Sequence, residues 1–175
     1  MSDSHIEYLF RQYSNDVHNF LVYFTRTRDV DDLLQDTFLR AIRNMNHLRL
    51  ETARSWLITI ARNVAIDHRR RMRKSVAVDD ETLQQMASPE KTPEEWMEAR
   101  EDQEHLLQQL GSLKSSYQEV IICRALMDMT SQETAAVLGW SRNRVDVTLS
   151  RALKSLRAGM TEQLGGSVND LAKRT

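Results

Sequence analysis

The sequence predicts an all-α protein: two small helical domains joined by a flexible acidic linker, the C-terminal one carrying a helix-turn-helix. Three observations lead there. Apolar residues recur every three or four positions nearly throughout, the stripe of a helix and not the alternation of a strand. Only 5 glycines and 2 prolines punctuate 175 residues, so few positions force the chain out of helix. The periodicity fades from Ser75 to Thr92, where acidic residues gather and both prolines, Pro89 and Pro93, fall within or just after the stretch. With 41% apolar residues the chain can bury one ordinary core or two small ones, which excludes a wholly disordered protein. The boundaries that follow are a first domain over 1–74, a linker over 75–92, a second domain over 93–160 and a tail over 161–175.

The bulk properties narrow the function classes. Cys123 is the 1 cysteine and cannot form an internal disulfide, and no charged start followed by an apolar leader opens the chain. A reducing compartment, the cytoplasm, is expected. No apolar run approaches the roughly 20 residues of a membrane-spanning helix, so no membrane insertion is expected. The net charge of -1 hides segregation. Residues 1–74 carry 13 Lys/Arg against 9 Asp/Glu, residues 75–105 carry 2 against 10, and residues 106–175 carry 9 against 6. Two basic units flanking an acidic connector suggest a polyanionic partner.

Taken in order, the first helix is expected to start at Ser4, which stands at capping-box spacing from Glu7. Phe10, Tyr13, Val17, Phe20, Leu21 and Phe24 then form one apolar face. A second helix follows Asp29, with Leu34, Phe38, Ala41, Ile42 and Met45 inward and Asp32, Gln35, Asp36, Leu39 and Arg40 largely outward. A polar loop spans Asn44 to Thr52. The third helix has Trp56, Leu57, Ile60, Ala61 and Val64 as its buried stripe and ends in the basic run His68 to Lys74. Beyond the linker, Thr92-Pro93-Glu94-Glu95 restarts a helix: threonine caps, proline suits the first helical position, and glutamates favour the positive end of the dipole. Leu106, Leu107, Leu110 and Leu113 continue its apolar face. After a break at Gly111, Tyr117, Val120, Ile121 and Ala125 supply another.

The helix-turn-helix is the most specific local signal. Thr130-Ser131-Gln132-Glu133 is a second capping box, opening a short helix through Ala135, Val137 and Leu138 that halts at Gly139. Ser141 caps the next helix, where Val145, Leu149, Ala152 and Leu153 repeat along the inner side. Ala135 permits close approach, Gly139 a left-handed turn, and Val145 anchors the second helix against the first. Arg142, Asn143, Arg144, Thr148 and Arg151 face outward, side chains that hydrogen-bond base edges or phosphates in a major groove. In the first domain, Arg62, Asn63, Ile66, Arg69 and Arg70 lie opposite the Trp56 stripe, an arrangement suited to tracking phosphates.

At this point the chain resembles a known family. Asp31-Asp32-Leu33-Leu34-Gln35-Asp36-Thr37-Phe38-Leu39-Arg40-Ala41, then Ser55-Trp56-Leu57-Ile58-Thr59-Ile60-Ala61-Arg62-Asn63-Val64-Ala65-Ile66-Asp67, then Tyr117-Gln118-Glu119-Val120-Ile121-Ile122 and the helix-turn-helix are similar to bacterial extracytoplasmic-function sigma factors, over nearly the whole chain. The resemblance implies that the second helix docks on the clamp helices of the RNA polymerase core through Asp32, Gln35, Asp36, Leu39 and Arg40. The third helix and the loop before it would hold the downstream promoter element and capture an unstacked base. The upstream element would be read as duplex by Ser131, Ser141, Arg142, Asn143, Arg144, Thr148 and Arg151. The acidic linker would thread the polymerase's nucleic-acid channel, and an anti-sigma protein would control the whole. Family members often carry lysine and arginine where this recognition helix has Asp146 and Thr148, which predicts a weaker phosphate grip and a promoter sequence not transferable from relatives.

Rival readings carry less. A helix-turn-helix repressor or activator would act as a dimer without polymerase. Asp31-Asp32 with Asp36 imitates the aspartate-rich magnesium motif of isoprenoid-chain synthases, but no second carboxylate cluster stands at comparable spacing. His5, His18, His47, His68 and His105 are scattered, without partners at metal-ligand spacing. No catalytic residue, metal or cofactor is expected. Cys123, among Ile121, Ile122 and Leu126, reads as a buried small residue, and Trp140 as core packing. Trp96 reads equally as packing or as an anchor for a partner.

Overall fold

A computed structural model describes residues 2–76 and 94–172, with side-chain surroundings over 4–75, 101 and 103–160. The described elements are α1 (Ser2–Thr25), α2 (Asp31–Arg43), α3 (Ala53–Val76), α4 (Glu94–Ser112), α5 (Ser115–Ile121), α6 (Ser131–Leu138) and α7 (Arg142–Ala172). Two 3-10 turns, Met45–His47 and Leu50–Thr52, occupy the loop between α2 and α3, and a wide π turn, Ile122–Leu126, follows α5. No strand occurs among the described residues. The chain divides into two compact units, Met1–His105 and Leu106–Thr175.

Most of the linker, the cap at Thr92, Pro93 and the side chain of Trp96 lie outside the described residues. The predicted linker's first two residues, Ser75 and Val76, belong to α3, and the backbone of α7 runs on through Ala172 over residues read as tail.

In the first unit α1, α2 and α3 each pack against the other two. Leu9, Val17, Phe20, Leu21, Val22 and Phe24 enter the core from α1; Leu33, Phe38 and Ala41 from α2; Leu57, Ile58, Ala61, Val64 and Ala65 from α3. Phe20 and Phe24 stack with ring centroids 5.5 Å apart. Thr37 is fully buried, and its hydroxyl donates to the Leu33 carbonyl at 2.7 Å, so a polar group enters the core with its hydrogen bond made. Val30, at the start of α2, offers no capping side chain, and Asp31 and Asp32 place negative charge in the first turn instead.

Several expectations about faces are corrected. The first helix already runs at Ser2, so Ser4 lies in its opening turn; nothing ahead of Ser4 is a glycine or proline that would stop the helix there. Leu9, not Phe10, leads the buried stripe of α1: both stand three or four residues before Tyr13, and packing against α2 and α3 turns Leu9 inward and leaves Phe10, about 100° round the helix, to the side. Phe10 is 49% exposed. In α2 the same rotation buries Leu33 and Thr37, leaves Leu34 half-buried and puts Ile42 47% in solvent, and Met45, expected on that helix, opens the 3-10 turn after it and is half-buried. In α3, Ile58 and Ala65 are core, while Trp56 and Ile60 are half-buried on its flank.

The second unit packs α5 and α6 against α7. Its core gathers Leu107, Leu110, Val120, Ile121, Ile122, Cys123, Met127, Met129, Val137, Leu138, Val145 and Ala152. Gly111 does not break α4, which continues to Ser112. Ala125, expected inside, is exposed. The four consecutive residues from Val120 to Cys123 are buried, and beyond them the coil widens, the Met127 N–H reaching the Ile122 carbonyl at 2.8 Å, so the regular helical repeat does not carry on to Ala125.

A paired measurement tests these faces. Leu57→Ala, which empties a fully buried site, is expected to cost about 3 kcal/mol in denaturant unfolding of the first unit. Ile42→Ala is expected to cost less than about 1 kcal/mol. Similar losses for both would mean that α2 is rotated from the orientation described.

Candidate functional site

In the first unit, several apolar side chains of α1 and α2 left in solvent gather at the edge of the core, beside the buried Phe38. Phe10, Leu34, Phe38, Leu39 and Ile42 line an open groove of about 480 Å³ together with Gln35, Asp31 and Asp32. Phe10 meets Phe38 edge-on with centroids 4.9 Å apart. Leu39 is 47% exposed, and Asp32 and Gln35 are exposed beside it. Exposed apolar side chains gathered in one groove and flanked by acids mark a protein-docking surface. Asp32, Gln35 and Leu39 are thus brought together as the sequence reading had them, and Phe10 and Ile42 are additions it had placed in the core. Their signal was a surplus of apolar residues on both helices, more than one stripe can bury.

Arg40, expected as an outward contact, turns to its own unit instead. Its Nη1 donates to Asp67 Oδ2 on α3 at 2.8 Å, and its Nη2 stands 3.1 Å from Asp36 Oδ2 on α2. The Asp67 hydrogen bond, foremost, raises the Arg40 pKa further above its ordinary value. The same bond holds the Asp67 carboxyl below the usual carboxylate range, helped by the charges of Arg40, Arg70 and Arg71 and opposed by burial. Asp36 and Arg40 therefore sit in a bridge from α2 to α3. A second bridge, Arg54 Nε to Asp16 Oδ2 at 2.6 Å, ties α3 to α1.

Along α3, Asn63 and Arg70 are exposed, and Arg62 and Ile66 are half-buried. Arg69 is not a free phosphate contact. Its Nη2 donates to the Phe24 carbonyl at 3.2 Å and its guanidinium lies 5.0 Å from the Phe24 ring, so it closes the C-terminal end of α1, where the helix dipole favours a cation.

In the second unit the turn geometry is built by side chains. The Thr130 hydroxyl accepts from the Glu133 N–H at 3.1 Å, and the Glu133 carboxylate accepts from the Thr130 N–H at 2.7 Å, completing the capping box of α6. Gly139 adopts φ 67°, left-handed backbone that a residue with a Cβ enters only under strain. The Ser141 hydroxyl accepts from the Arg144 N–H at 3.2 Å and caps α7. Val145 is fully buried beneath the turn.

Outside, Ser141, Arg142, Asn143, Arg144 and Arg151 are exposed, and Ser131 and Thr148 are half-buried. Trp140 is not core: it is half-buried, with the Arg144 guanidinium 4.1 Å from its ring centroid. Cation-π stacking at this distance holds Arg144 against the turn. Ser131 Oγ donates to Asp146 Oδ1 at 2.5 Å, linking the start of α6 to the recognition helix α7.

One compact unit with an apolar docking groove and a basic helix, and another with a complete helix-turn-helix, define a DNA-binding protein that also engages a protein partner. The chain matches sigma-70 region 2 over residues 9–75 and sigma-70 region 4 over residues 103–156. It is 35% identical to the RNA polymerase sigma factor YlaC of Bacillus subtilis over 164 residues, covering 90% of this chain and 92% of that protein. The ECF RNA polymerase sigma factor SigM of the same organism is 27% identical over 87% of this chain and 93% of its own length. Among solved structures, the sigma factor RpoE of Bartonella quintana, in complex with the anti-sigma factor NepR, shares the fold with a TM-score of 0.73 at 19% identity, over 92% of this chain and 98% of that one. The chain belongs to the sigma-70 family, as a sigma factor of the extracytoplasmic-function type. It directs RNA polymerase to promoters, with core polymerase and promoter DNA as its partners, and is not a free-standing helix-turn-helix repressor. No described helix is long and apolar enough to cross a membrane.

Two outcomes are expected from this geometry. Because the Asp67 pKa is lower folded than unfolded, the Arg40 bridge is fully stabilising above the ordinary carboxylate value of about 4 and is lost as pH falls through the folded value. Acid titration of stability should thus fall below about pH 4, and Asp67→Asn should flatten part of that fall; the change is modest because the side chain is 41% exposed. An identical acid limb in the variant would contradict the bridge. Separately, Thr130→Ala should lower the thermal stability of the second unit by about 1 kcal/mol through loss of the cap.

Proposed function

We propose that the two units divide promoter recognition between them. The groove of α2, with Asp32, Gln35 and Leu39 and joined by Phe10 and Ile42, docks on the clamp helices of core polymerase, while Asp36 and Arg40 set the angle between that helix and α3. Exposure of a connected apolar groove in a unit this small is the observation that carries the reading: a face left unburied at such cost needs a partner. Asn63 and Arg70, flanked by Arg62 and Ile66, together with the Asn44 to Thr52 loop, hold the downstream element and stabilise an unstacked base; Arg69 supports them from within the fold. Opening a duplex costs a few kcal/mol per unstacked base, and capture of one strand offsets it.

Arg142, Asn143, Arg144 and Arg151, with Ser131, Ser141 and Thr148, read the upstream element as duplex. The domain division is 1–74, 75–92, 93–160 and 161–175, the acidic connector occupying the polymerase's basic nucleic-acid channel. Bond-making belongs to the polymerase, so this chain carries no catalytic activity of its own, and it works in the cytoplasm where polymerase is. RpoE was solved with the anti-sigma factor NepR; for this chain the exposed apolar groove supports an anti-sigma protein that occludes the docking face.

Transcription in vitro tests the whole: core polymerase with and without the chain, on a library of promoter-length DNA, followed by sequencing of start sites. New starts that depend on the added chain are expected; DNA binding with no new starts would sink the reading. Within it, Ile42→Ala should weaken core affinity while leaving DNA selection unchanged. Arg142→Ala should do the reverse, lowering use of promoters with an intact upstream element by roughly ten-fold or more.

A further inference from the structure

We infer that Asp146 is a specificity-determining residue of the recognition helix, its carboxylate accepting a hydrogen bond from the exocyclic amino group of one cytosine in the upstream promoter element. The inference deepens the reading of α7 as the reader of that element, and rests on it. Asp146 is exposed in the second turn of α7, three residues after Asn143 and four after Arg142, so all three share a helix face. An acid on a face that approaches DNA is repelled by phosphates and requires a donor. An ionised carboxylate only accepts. Cytosine is the base whose major-groove edge presents an amino donor without a neighbouring ring-nitrogen acceptor; adenine sets its N7 beside the donor, and guanine and thymine present acceptors.

The carboxylate is also aimed. Ser131 Oγ donates to Oδ1, and Ser131 sits in the first turn of α6, fixed by the Thr130–Glu133 capping box. One oxygen is thereby engaged, and Oδ2 has no partner among the described residues. Arg142, one turn away and of opposite charge, makes no ion pair with Asp146 among the described residues. Asp146 is held from the α6 side with an acceptor left over, and Arg142 is left for DNA. A contact of fixed direction loses less side-chain freedom on binding than a swinging one.

The test uses holoenzyme reconstituted from core polymerase and the full chain, on promoters randomised only across the upstream element, with the downstream sequence fixed from mapped start sites. The wild-type chain should favour cytosine at one position by on the order of five-fold or more. Asp146→Asn keeps an acceptor for Ser131 and turns an amide donor toward the DNA in place of the free acceptor, so preference at that position should move from cytosine to a base presenting an acceptor while neighbouring positions hold. Asp146→Ala should level that position alone. If Asp146 only braces α6 against α7, Asp146→Ala will weaken all sequences by a similar factor with every base preference unchanged, and the inference is overturned. Loss of all upstream selection in the wild-type chain, with Arg142→Ala without effect, would instead remove the reading of α7 and this inference with it.

Discussion

A helix in a three-helix unit can bury one stripe, and everything apolar beyond that stripe must face water or a partner. This constraint organises the first unit. α1 and α2 together carry more large apolar side chains than the core accepts, and Tyr8, Phe10, Leu39 and Ile42 stay exposed, the last three of them around one groove. Those three do not scatter. The packing of α1 against α2 brings them to one groove, with acids beside it. In the proposed reading, that apolar surplus is the surface offered to core polymerase.

Charged side chains divide into those that hold the fold and those left for partners. Arg40 shares its guanidinium between Asp36 and Asp67, Arg54 takes Asp16, and Arg69 closes the end of α1. Each of these links two of the three helices, or braces one of them, through partly solvated contacts that contribute little energy singly but fix relative rotation. Arg70, Arg142 and Arg151 stand exposed. Phosphate affinity falls steeply with salt, so residues meant for DNA gain from not being spent on internal ion pairs.

The sequence made the helices, their order and the helix-turn-helix legible because those rest on local rules: Thr130 with Glu133, Gly139 in a left-handed turn and Ser141 as a cap need no tertiary context. Rotation about a helix axis was less legible. Phe10 against Leu9, and Ile42 against Leu33, differ by a position or two in a sequence where either set makes a plausible stripe, and only packing against the other helices decides. Partners across long separations were illegible for a plainer reason: nothing local distinguishes an Arg40 that reaches Asp67 from one that reaches a polymerase. The π turn escaped notice because a widened coil follows from tertiary packing around Val120 to Cys123, and its composition is that of any helix.

The second unit shows how few polar contacts are needed to pre-organise a reading head. The capping box fixes the first residues of α6, Ser131 passes that order to Asp146 on α7, and Arg144 is held over Trp140 at the turn between them. The capping box orders the start of α6, the Ser131 bond joins α6 to α7, and the stacked pair sits at the turn. Freedom removed before binding is not lost again on binding, so selectivity gained this way does not demand high affinity. In the proposed division of labour, that balance suits a subunit whose two units are joined in one chain: once either makes its contact the other binds at high effective concentration, and promoter choice would follow from the product of two modest preferences.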